Sequence, residues 1–136
     1  MANYISIESR GRSATAITDK VRDIVAASKV RSGLAHLFIQ HTSASLLIQE
    51  NADPDVLRDL LDWLDRLAPA ASPYRHSAEG PDDMPAHLKS AVTATSVSIP
   101  FENGMLLLGA WQDIYLLEHR ATPHVRRIAV TLIAAG

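Results

Sequence analysis

The segment from residue 95 to residue 134 contains four strand patterns and no helix pattern between them. The four stretches are TSVSIPFE, MLLLGAWQ, DIYLLEHR and HVRRIAVTLIA. Parallel strands of one sheet need a crossover connection, usually a helix, between them. The ENG sequence at 102–104 is instead typical of a hairpin turn. This order favours an α+β fold with a mainly antiparallel sheet over a doubly wound parallel sheet.

Strand and helix patterns alternate earlier in the chain. Residues 4–9, 33–40 and 44–49 have strand patterns, the third being either a separate strand or a continuation of the second beyond a bulge at 41–43. A helix pattern follows Thr18, which we expect to cap it, and Gly33 is its expected end.

The segment NADPDVLRDLLDWLDRLAP is the clearest helix pattern in the sequence. Asp53 is the expected N-cap, Pro54 the first helical residue and Pro69 the stop. Apolar residues at helical spacing form a stripe along it. The stripe comprises Val56, Leu57, Leu60, Leu61, Leu64 and Leu67.

Residues 70–85 are rich in Pro, Ala, Ser, Asp and Gly, and they predict a long loop. Loops of this length in small domains tend to be functional or disordered. A short helix should follow, capped by Asp82 or Asp83. Gly109, inside a strand-like run, indicates a bulge or a close backbone approach.

Composition excludes several classes of protein. The chain has 136 residues, which fits a single domain over 1–136, and its 47% hydrophobic and 21% charged residues are typical of a folded protein. A formal net charge of -2 argues against nucleic-acid binding, and the absence of cysteine excludes disulfides and thiolate chemistry. No apolar run resembles a signal peptide or a membrane span, so we expect a cytoplasmic protein with no membrane partner.

Three separated stretches resemble one family. They are HTSASLLIQENADPDV (41–56), YRHSAEGPDDMPAHLKS (74–90) and SVSIPFENGMLLLGAWQDIYLLEHR (96–120). Together they are similar to the YjbQ-like family, also called the secondary thiamine-phosphate synthase family, whose pattern pairs HTSA, an H…DDMPAH loop and LGxWQ. The resemblance runs from about residue 15 to residue 133. Ala110 departs from it, since many relatives carry Thr there.

The resemblance implies a fold, an assembly and an activity. The fold would be a compact α+β sandwich with two longer helices and one short helix, assembled as a homotrimer with a polar pocket near the subunit boundary. Some members are credited with making thiamine phosphate, which joins a pyrimidine diphosphate to a thiazole phosphate.

Three of the six histidines, His41, His76 and His87, fall within these stretches. If they converged, they would form a site for a divalent metal such as zinc, with one position left for water or substrate. The spacing matches no compact ligand motif, so hydrogen-bonding loop histidines are the alternative. Asp83 or Asp82 would either cap the short helix, bind Mg²⁺ or orient a histidine.

Polar residues flank the strand at 44–49 on both sides. His41, Thr42 and Ser43 precede it, and Glu50 and Asn51 follow it. We expect the two groups to form two walls of one pocket, closed by the loop at 74–87.

Four further residues are candidates for binding substrate. Trp111 and Gln112 would line the pocket or pack at a subunit interface, and Lys89 or Arg127 would hold a phosphate. Cross-strand ion pairs among Glu118, Arg126 and Arg127 are the simpler alternative for the two arginines.

The residues and the resemblance to this family together imply a small trimeric enzyme with a His/Asp pocket for a phosphorylated or anionic molecule, and the resemblance makes thiamine-phosphate synthesis the leading activity. Catalytic roles would fall to His41, His76, His87 and Asp83. A metal-assisted phosphohydrolase, using Zn or Mg, is one alternative. A non-catalytic trimer that binds a metal or an anion is another.

Overall fold

A computed structural model describes residues 2–136 of the chain and contains eight strands and three helices. No helix in this range is both long and apolar enough to cross a membrane. In chain order the elements are β1 (Asn3–Glu8), β2 (Ser13–Ala16), α1 (Thr18–Ala27), β3 (Gly33–Ile39), β4 (Ala44–Glu50), α2 (Pro54–Leu67), α3 (Asp83–Val92), β5 (Ser96–Glu102), β6 (Met105–Leu106), β7 (Gln112–Glu118) and β8 (Val125–Ala134).

The strands form two antiparallel sheets. One has the order β1-β8-β3-β5-β6 and the other the order β2-β7-β4. Apolar residues of both sheets and of α1 meet in one core, which includes Leu37, Ile128, Leu46, Leu116 and Val21. The predicted α+β class with antiparallel sheets is therefore confirmed. α3 is as long as α1, at ten residues each.

β3 and β4 are separate strands in different sheets. Residues 40–43 carry the chain from one sheet to the other, so the alternative of one strand with a bulge is wrong. Gly33 is the first residue of β3 and does not end α1. A Cβ atom there would lie 1.9 Å from the carbonyl oxygen of Ile133 in β8, so glycine is required for the close approach of the two backbones.

Thr18 does not cap α1. Ile17 occupies the N-cap position, and its side chain makes no capping hydrogen bond. The Thr18 hydroxyl donates instead to Asp113 and accepts the N–H of Ile114 at 2.9 Å, which ties the start of α1 to β7. The capping prediction is wrong because a tertiary partner takes the hydroxyl.

α2 begins as predicted. Asp53 accepts a hydrogen bond from the N–H of Asp55 at 2.9 Å, and Pro54 is the first helical residue. The apolar stripe, however, is only partly covered within one chain. Leu64 is buried, whereas Leu67 is 52% exposed and the neighbouring Trp63 is 49% exposed.

The ENG hairpin is confirmed, since Asn103 and Gly104 have φ of 53° and 75° in the turn between β5 and β6. The predicted strand at 105–112 is wrong beyond Leu106. There the chain leaves the first sheet and reaches the second through a turn in which Gln112 N–H donates to Gly109 O at 3.1 Å. Gly109 therefore lies in a turn between the sheets, and the predicted bulge is not formed.

Candidate functional site

The start of α3 and the loop before it bring two histidines and an aspartate together. Asp83 and His87 lie one helical turn apart, and His76 comes from the loop between α2 and α3. One oxygen of Asp83, Oδ2, contacts Nε2 of His76 at 2.5 Å and Nε2 of His87 at 3.1 Å. Asp83 is 1% exposed, while His76 lies at the surface, so the group is open to solvent on the histidine side.

This donor set suits a divalent transition metal. One ligand atom from each of the three residues lies within 4.8 Å of the others. Two imidazoles and a carboxylate are ligands that zinc and similar ions accept, whereas magnesium prefers an oxygen-only shell. The residues brought together are thus His76, Asp83 and His87, in place of the predicted three histidines. These three residues are called the metal-ligand group below.

Arg120 fixes the position of this group. Its Nη1 lies 2.9 Å from Asp83 Oδ1, its Nε donates to Asp82 Oδ2 at 2.9 Å, and its Nη2 donates to the carbonyl of Glu79 at 3.0 Å. Asp82 also accepts the N–H of Ala121 at 2.8 Å. Neither aspartate caps α3 through its side chain, because both carboxylates face Arg120. Asp82 does occupy the N-cap position, as predicted, but its side chain makes no capping hydrogen bond.

The charges around the two aspartates keep both ionised. Burial disfavours the Asp83 carboxylate, but the hydrogen bond from His76 and the charges of His87 and Arg120 outweigh it and lower its pKa. For Asp82, burial is likewise outweighed by hydrogen bonds from Ala121 and Arg120, so its pKa is also lowered.

His41 lies outside the metal-ligand group. Its Nε2 accepts the backbone N–H of Arg127 at 2.8 Å, so the neutral ring carries its proton on Nδ1. That nitrogen faces the Arg126 guanidinium, with 3.4 Å between Nδ1 and Nη1. Burial and the positive charge of Arg126 lower the His41 pKa. Burial and Arg126 thus favour the neutral ring, and its lone pair on Nε2 accepts the Arg127 N–H and is not free for a metal.

A buried ion pair lies behind His41. The Arg126 guanidinium donates to both oxygens of Glu118, through Nε at 2.8 Å and through Nη2. Arg126 also donates to the hydroxyl of Ser43 at 3.0 Å, and Glu118 accepts from Ser9 at 2.6 Å. Ser43 is thus part of a buried polar network and does not face a pocket.

A cavity of about 480 Å³ lies beside the metal-ligand group. Thr42 and His87 are on its wall, and the Thr42 carbonyl accepts a hydrogen bond from His87 Nδ1 at 2.8 Å. This bond fixes the ring so that Nε2 points toward Asp83. Phe38, Ile39 and Ala91 supply apolar walls.

The polar residues after β4 lie far from this cavity within one chain. β4 has seven residues, and a strand of that length spans about 23 Å. Glu50 pairs with Gln112 across the sheet, and the N–H of Asn51 donates to the carbonyl of Trp111 at 3.0 Å. The two polar ends of β4 therefore do not form one pocket within a chain. Trp111 is 68% exposed.

Neither predicted phosphate-binding cation joins the group. Lys89 is buried on the other side of α3, where it contacts Asp65 at 2.6 Å. Arg127 lies over the ring of Tyr4, 3.7 Å from its centroid. Arg120 was not among the predicted site residues, because it lies 37 positions after Asp83, at the end of a stretch (96–120) whose final part was interpreted only as a strand.

The chain resembles known proteins over almost its whole length. The family described as "UPF0047 protein YjbQ-like" matches residues 3–135. UPF0047 protein sll1880 of Synechocystis sp. is 51% identical over 125 residues, covering 91% of this chain and 85% of that protein. UPF0047 protein YjbQ of Escherichia coli O157:H7 is 40% identical and covers 94% of each chain.

Solved structures share the fold. An uncharacterised conserved protein of the yjbq/upf0047 family from Clostridium acetobutylicum superimposes with a TM-score of 0.90 at 39% identity, covering 96% of this chain and 99% of that one. The conserved hypothetical protein TT1486 from Thermus thermophilus gives a TM-score of 0.86 at 36% identity, over 96% and 99% of the two chains.

Proposed function

We propose a function for this chain on the premise that it belongs to the YjbQ-like family of UPF0047 proteins. The function that the geometry supports best is metal-assisted hydrolysis of a phosphorylated small molecule. His76, Asp83 and His87 would hold a divalent metal, with zinc favoured over magnesium. The observation that carries this proposal is the convergence of their three ligand atoms within 4.8 Å.

Several features of the residues around the group support this role. Thr42 and Arg120 orient His87 and Asp83, and such supporting contacts commonly accompany metal ligands. The adjoining cavity of about 480 Å³ has room for a small molecule. A divalent metal there would act as a Lewis acid on a phosphoryl oxygen. The chain itself would bind the substrate's apolar part against Phe38 and Ala91.

Thiamine-phosphate synthesis is the second candidate. The apolar walls of the cavity would accept a heteroaromatic ring, which favours it. The reaction also releases pyrophosphate, whose charge needs cations. Arg120, Arg126 and Lys89 already contact carboxylates of the same chain. Diphosphate binding would therefore depend on the metal. Hydrolysis of a monophosphate involves less negative charge and so needs fewer cations.

In a homotrimer, the polar residues that follow β4 in one subunit would approach the polar residues that precede β4 in a neighbouring subunit. Trp111 and Met105 are 68% and 70% exposed, and the apolar stripe of α2 is only partly covered. Large exposed apolar side chains that cluster on a small domain are typical of interaction sites. In this assembly Asn51, Trp111 and Gln112 would approach the cavity of a neighbouring subunit.

Metal analysis and two activity assays test the proposal. Purified protein loaded with Zn²⁺ and then desalted should retain one equivalent per chain. The variants His76→Ala, His87→Ala and Asp83→Asn should retain little. His36→Ala is the matched control, since His36 hydrogen-bonds Ser98 on the sheet surface, away from the site. This variant should bind zinc like the parent protein.

The loaded protein should release phosphate from p-nitrophenyl phosphate, and the three ligand variants should not. Formation of thiamine phosphate from the pyrimidine diphosphate and the thiazole phosphate would instead support the second candidate. One tightly held zinc with neither activity would identify a metal-binding protein that does not catalyse either reaction. Failure of the parent protein to retain zinc would contradict the metal site altogether.

A further inference from the structure

A second cavity lies on the opposite side of α3 from the metal-ligand group. Its volume is about 560 Å³, within the range of small-molecule sites. The wall is largely apolar and made of small or rigid residues. These are Ala68, Pro69, Ala70, Ala71, Pro85 and Ala121. Such a surface suits a compact ring or short aliphatic group.

His119, on the wall of this cavity, has a ring nitrogen without a hydrogen-bond partner. The residue is 3% exposed and lines the cavity wall. Its Nδ1 is the one buried side-chain polar atom among residues 2–136 that lacks a hydrogen-bond partner. A buried polar atom left unpaired is costly and therefore rare in folded proteins. A ligand in the cavity would supply the missing partner.

The hydrogen-bond chain behind the ring determines what kind of partner is missing. The Thr93 hydroxyl lies 2.8 Å from the carbonyl of Lys89, which can only accept, so Thr93 is the donor. The Ser45 hydroxyl, 2.6 Å from Thr93 Oγ1, must then donate to it. His119 Nε2 lies 2.8 Å from Ser45 Oγ and therefore carries the ring proton. Nδ1 is left with a bare lone pair, and its partner must be a donor.

The charges on the cavity wall are already paired. Lys89 contacts Asp65 at 2.6 Å, and Arg12 lies 3.4 Å from the same carboxylate. Asp82 is held by Arg120 at 2.9 Å. A charged ligand would have to compete with these ion pairs, whereas an uncharged one leaves them intact.

We propose that this cavity is a second ligand site, selective for a small uncharged molecule with a hydroxyl or amino donor that binds Nδ1 of His119. The apolar wall binds the body of the molecule, and His119 selects the donor. Burial and the nearby charge of Lys89 lower the pKa of His119 to about 4, so the ring is neutral and remains an acceptor at neutral pH.

Phenol and anisole form a matched pair of probes, because anisole carries a methyl group in place of the hydroxyl proton. We expect phenol to bind the full-length protein at least tenfold more tightly than anisole in an NMR titration. The His119→Phe variant should bind both probes with similar affinity. Equal affinities of phenol and anisole for the parent protein would overturn the proposal, as would a retained preference in the variant.

The parent protein also allows a test that does not depend on how the variant folds. Long-range ¹H–¹⁵N spectra distinguish a protonated from an unprotonated imidazole nitrogen. The Nδ1 signal of His119 should be that of an unprotonated nitrogen and should move when phenol, but not anisole, is added. A protonated Nδ1, or a signal unmoved by phenol, would contradict the site.

These measurements are separable from the test of the metal site. They are made in the presence of EDTA, and the His76→Ala/His87→Ala double variant should bind phenol as the parent protein does. Loss of phenol binding in that double variant would assign the probe to the first cavity and overturn the second site.

Discussion

The Glu118 carboxylate and the Arg126 guanidinium form an ion pair in which both side chains are almost completely buried, at 0% and 5% exposure. The pair connects β7 to β8 and thereby joins the two sheets. Ser9 and Ser43 supply further hydrogen bonds, so both charged groups are well paired. Burial raises the energy of the Glu118 carboxylate, but Arg126 and Ser9 outweigh this effect and lower its pKa.

Replacing one partner of this pair should destabilise the protein strongly. Arg126→Met leaves the Glu118 carboxylate buried without its cation, and we expect the free energy of unfolding to fall by about 3–5 kcal/mol. Urea denaturation followed by circular dichroism measures this change. The double variant Arg126→Met/Glu118→Gln should recover part of the loss. If the double variant were less stable than Arg126→Met, the unpaired carboxylate would not be the cause of the lost stability.

The protein should lose stability as the pH is lowered from 6.5 to 4. Burial and Lys89 lower the pKa of His119 to about 4, so the unfolded state binds the proton at a higher pH than the folded state. The His119 ring should account for a loss of about 3 kcal/mol across this interval. His41 has a pKa lowered by burial and adds a loss of the same sign.

Stability measured against pH for the parent protein and for His119→Asn checks this expectation. The variant should show a shallower slope between pH 6.5 and 5. Glu118, whose pKa lies below its ordinary value of 4.5, adds its own loss only at lower pH. Identical slopes for the two proteins above pH 5 would show that His119 does not titrate as described.

Arg120 should control zinc affinity without being a metal ligand. Arg120→Met removes the contact that fixes Asp83 Oδ1, and we expect zinc binding to weaken about 10–100-fold. Isothermal titration calorimetry gives the affinities. Arg22→Met is the matched control, since Arg22 forms only an exposed ion pair with Asp19. This variant should bind zinc as tightly as the parent protein. Unchanged affinity in Arg120→Met would mean that Asp83 does not need this support.

Gly33→Ala should destabilise the sheet where β3 meets β8. The added Cβ would lie 1.9 Å from the Ile133 carbonyl oxygen, so the two backbones must move apart. We expect a loss of about 3 kcal/mol, at the upper end of the usual cost of overpacking. Gly109→Ala is a suitable control, because its Cβ would meet only the end of the Gln112 side chain, at 3.3 Å. Thermal denaturation of the two variants should differ clearly, and equal midpoints would contradict this account.

The proposed homotrimer depends on the exposed apolar residues. Analytical ultracentrifugation of the parent protein should give the mass of three chains at micromolar concentration. Trp111→Glu places a charge on a side chain that is 68% exposed in one chain, and it should shift the mass toward one chain. Glu102→Gln, at an exposed position of β5, is the control and should remain trimeric. A parent protein that sediments as a monomer would refute the assembly.

Features encoded by neighbouring residues could be predicted from the sequence. The Asp53 cap and the Asn103–Gly104 turn depend on residues within a few positions of one another, and both are as predicted. His76 and His87 were predicted to converge, and the structure brings their ring nitrogens together. The third member of the metal-ligand group, Asp83, was predicted as a catalytic residue, with capping, Mg²⁺ binding and orientation of a histidine as alternatives, whereas His41 was predicted as the third ligand.

Features that depend on distant partners could not be predicted. Thr18 has the residue type of a cap, but its hydroxyl is taken by Asp113, 95 positions away. Arg120 reaches Asp82 and Asp83 only because β7 ends beside the start of α3. His119 follows a strand and precedes a turn, a position that is usually exposed, yet the residue is only 3% exposed. Its burial follows from the packing of α3 against β4, which no local pattern records.

The pairing of β1 with β8 has a consequence for how the chain folds. Residues 3–8 pair with residues 125–130, and β8 also fills the place between β1 and β3. While the polypeptide is being synthesised, neither β1 nor β3 can acquire this neighbour until β8 has left the ribosome. Pairings between such remote segments slow folding and leave strand edges open to aggregation in the meantime. A nascent chain that stalls before residue 125 therefore leaves β1 without a partner strand and one edge of β3 unpaired, and we expect such a chain to be a substrate of chaperones.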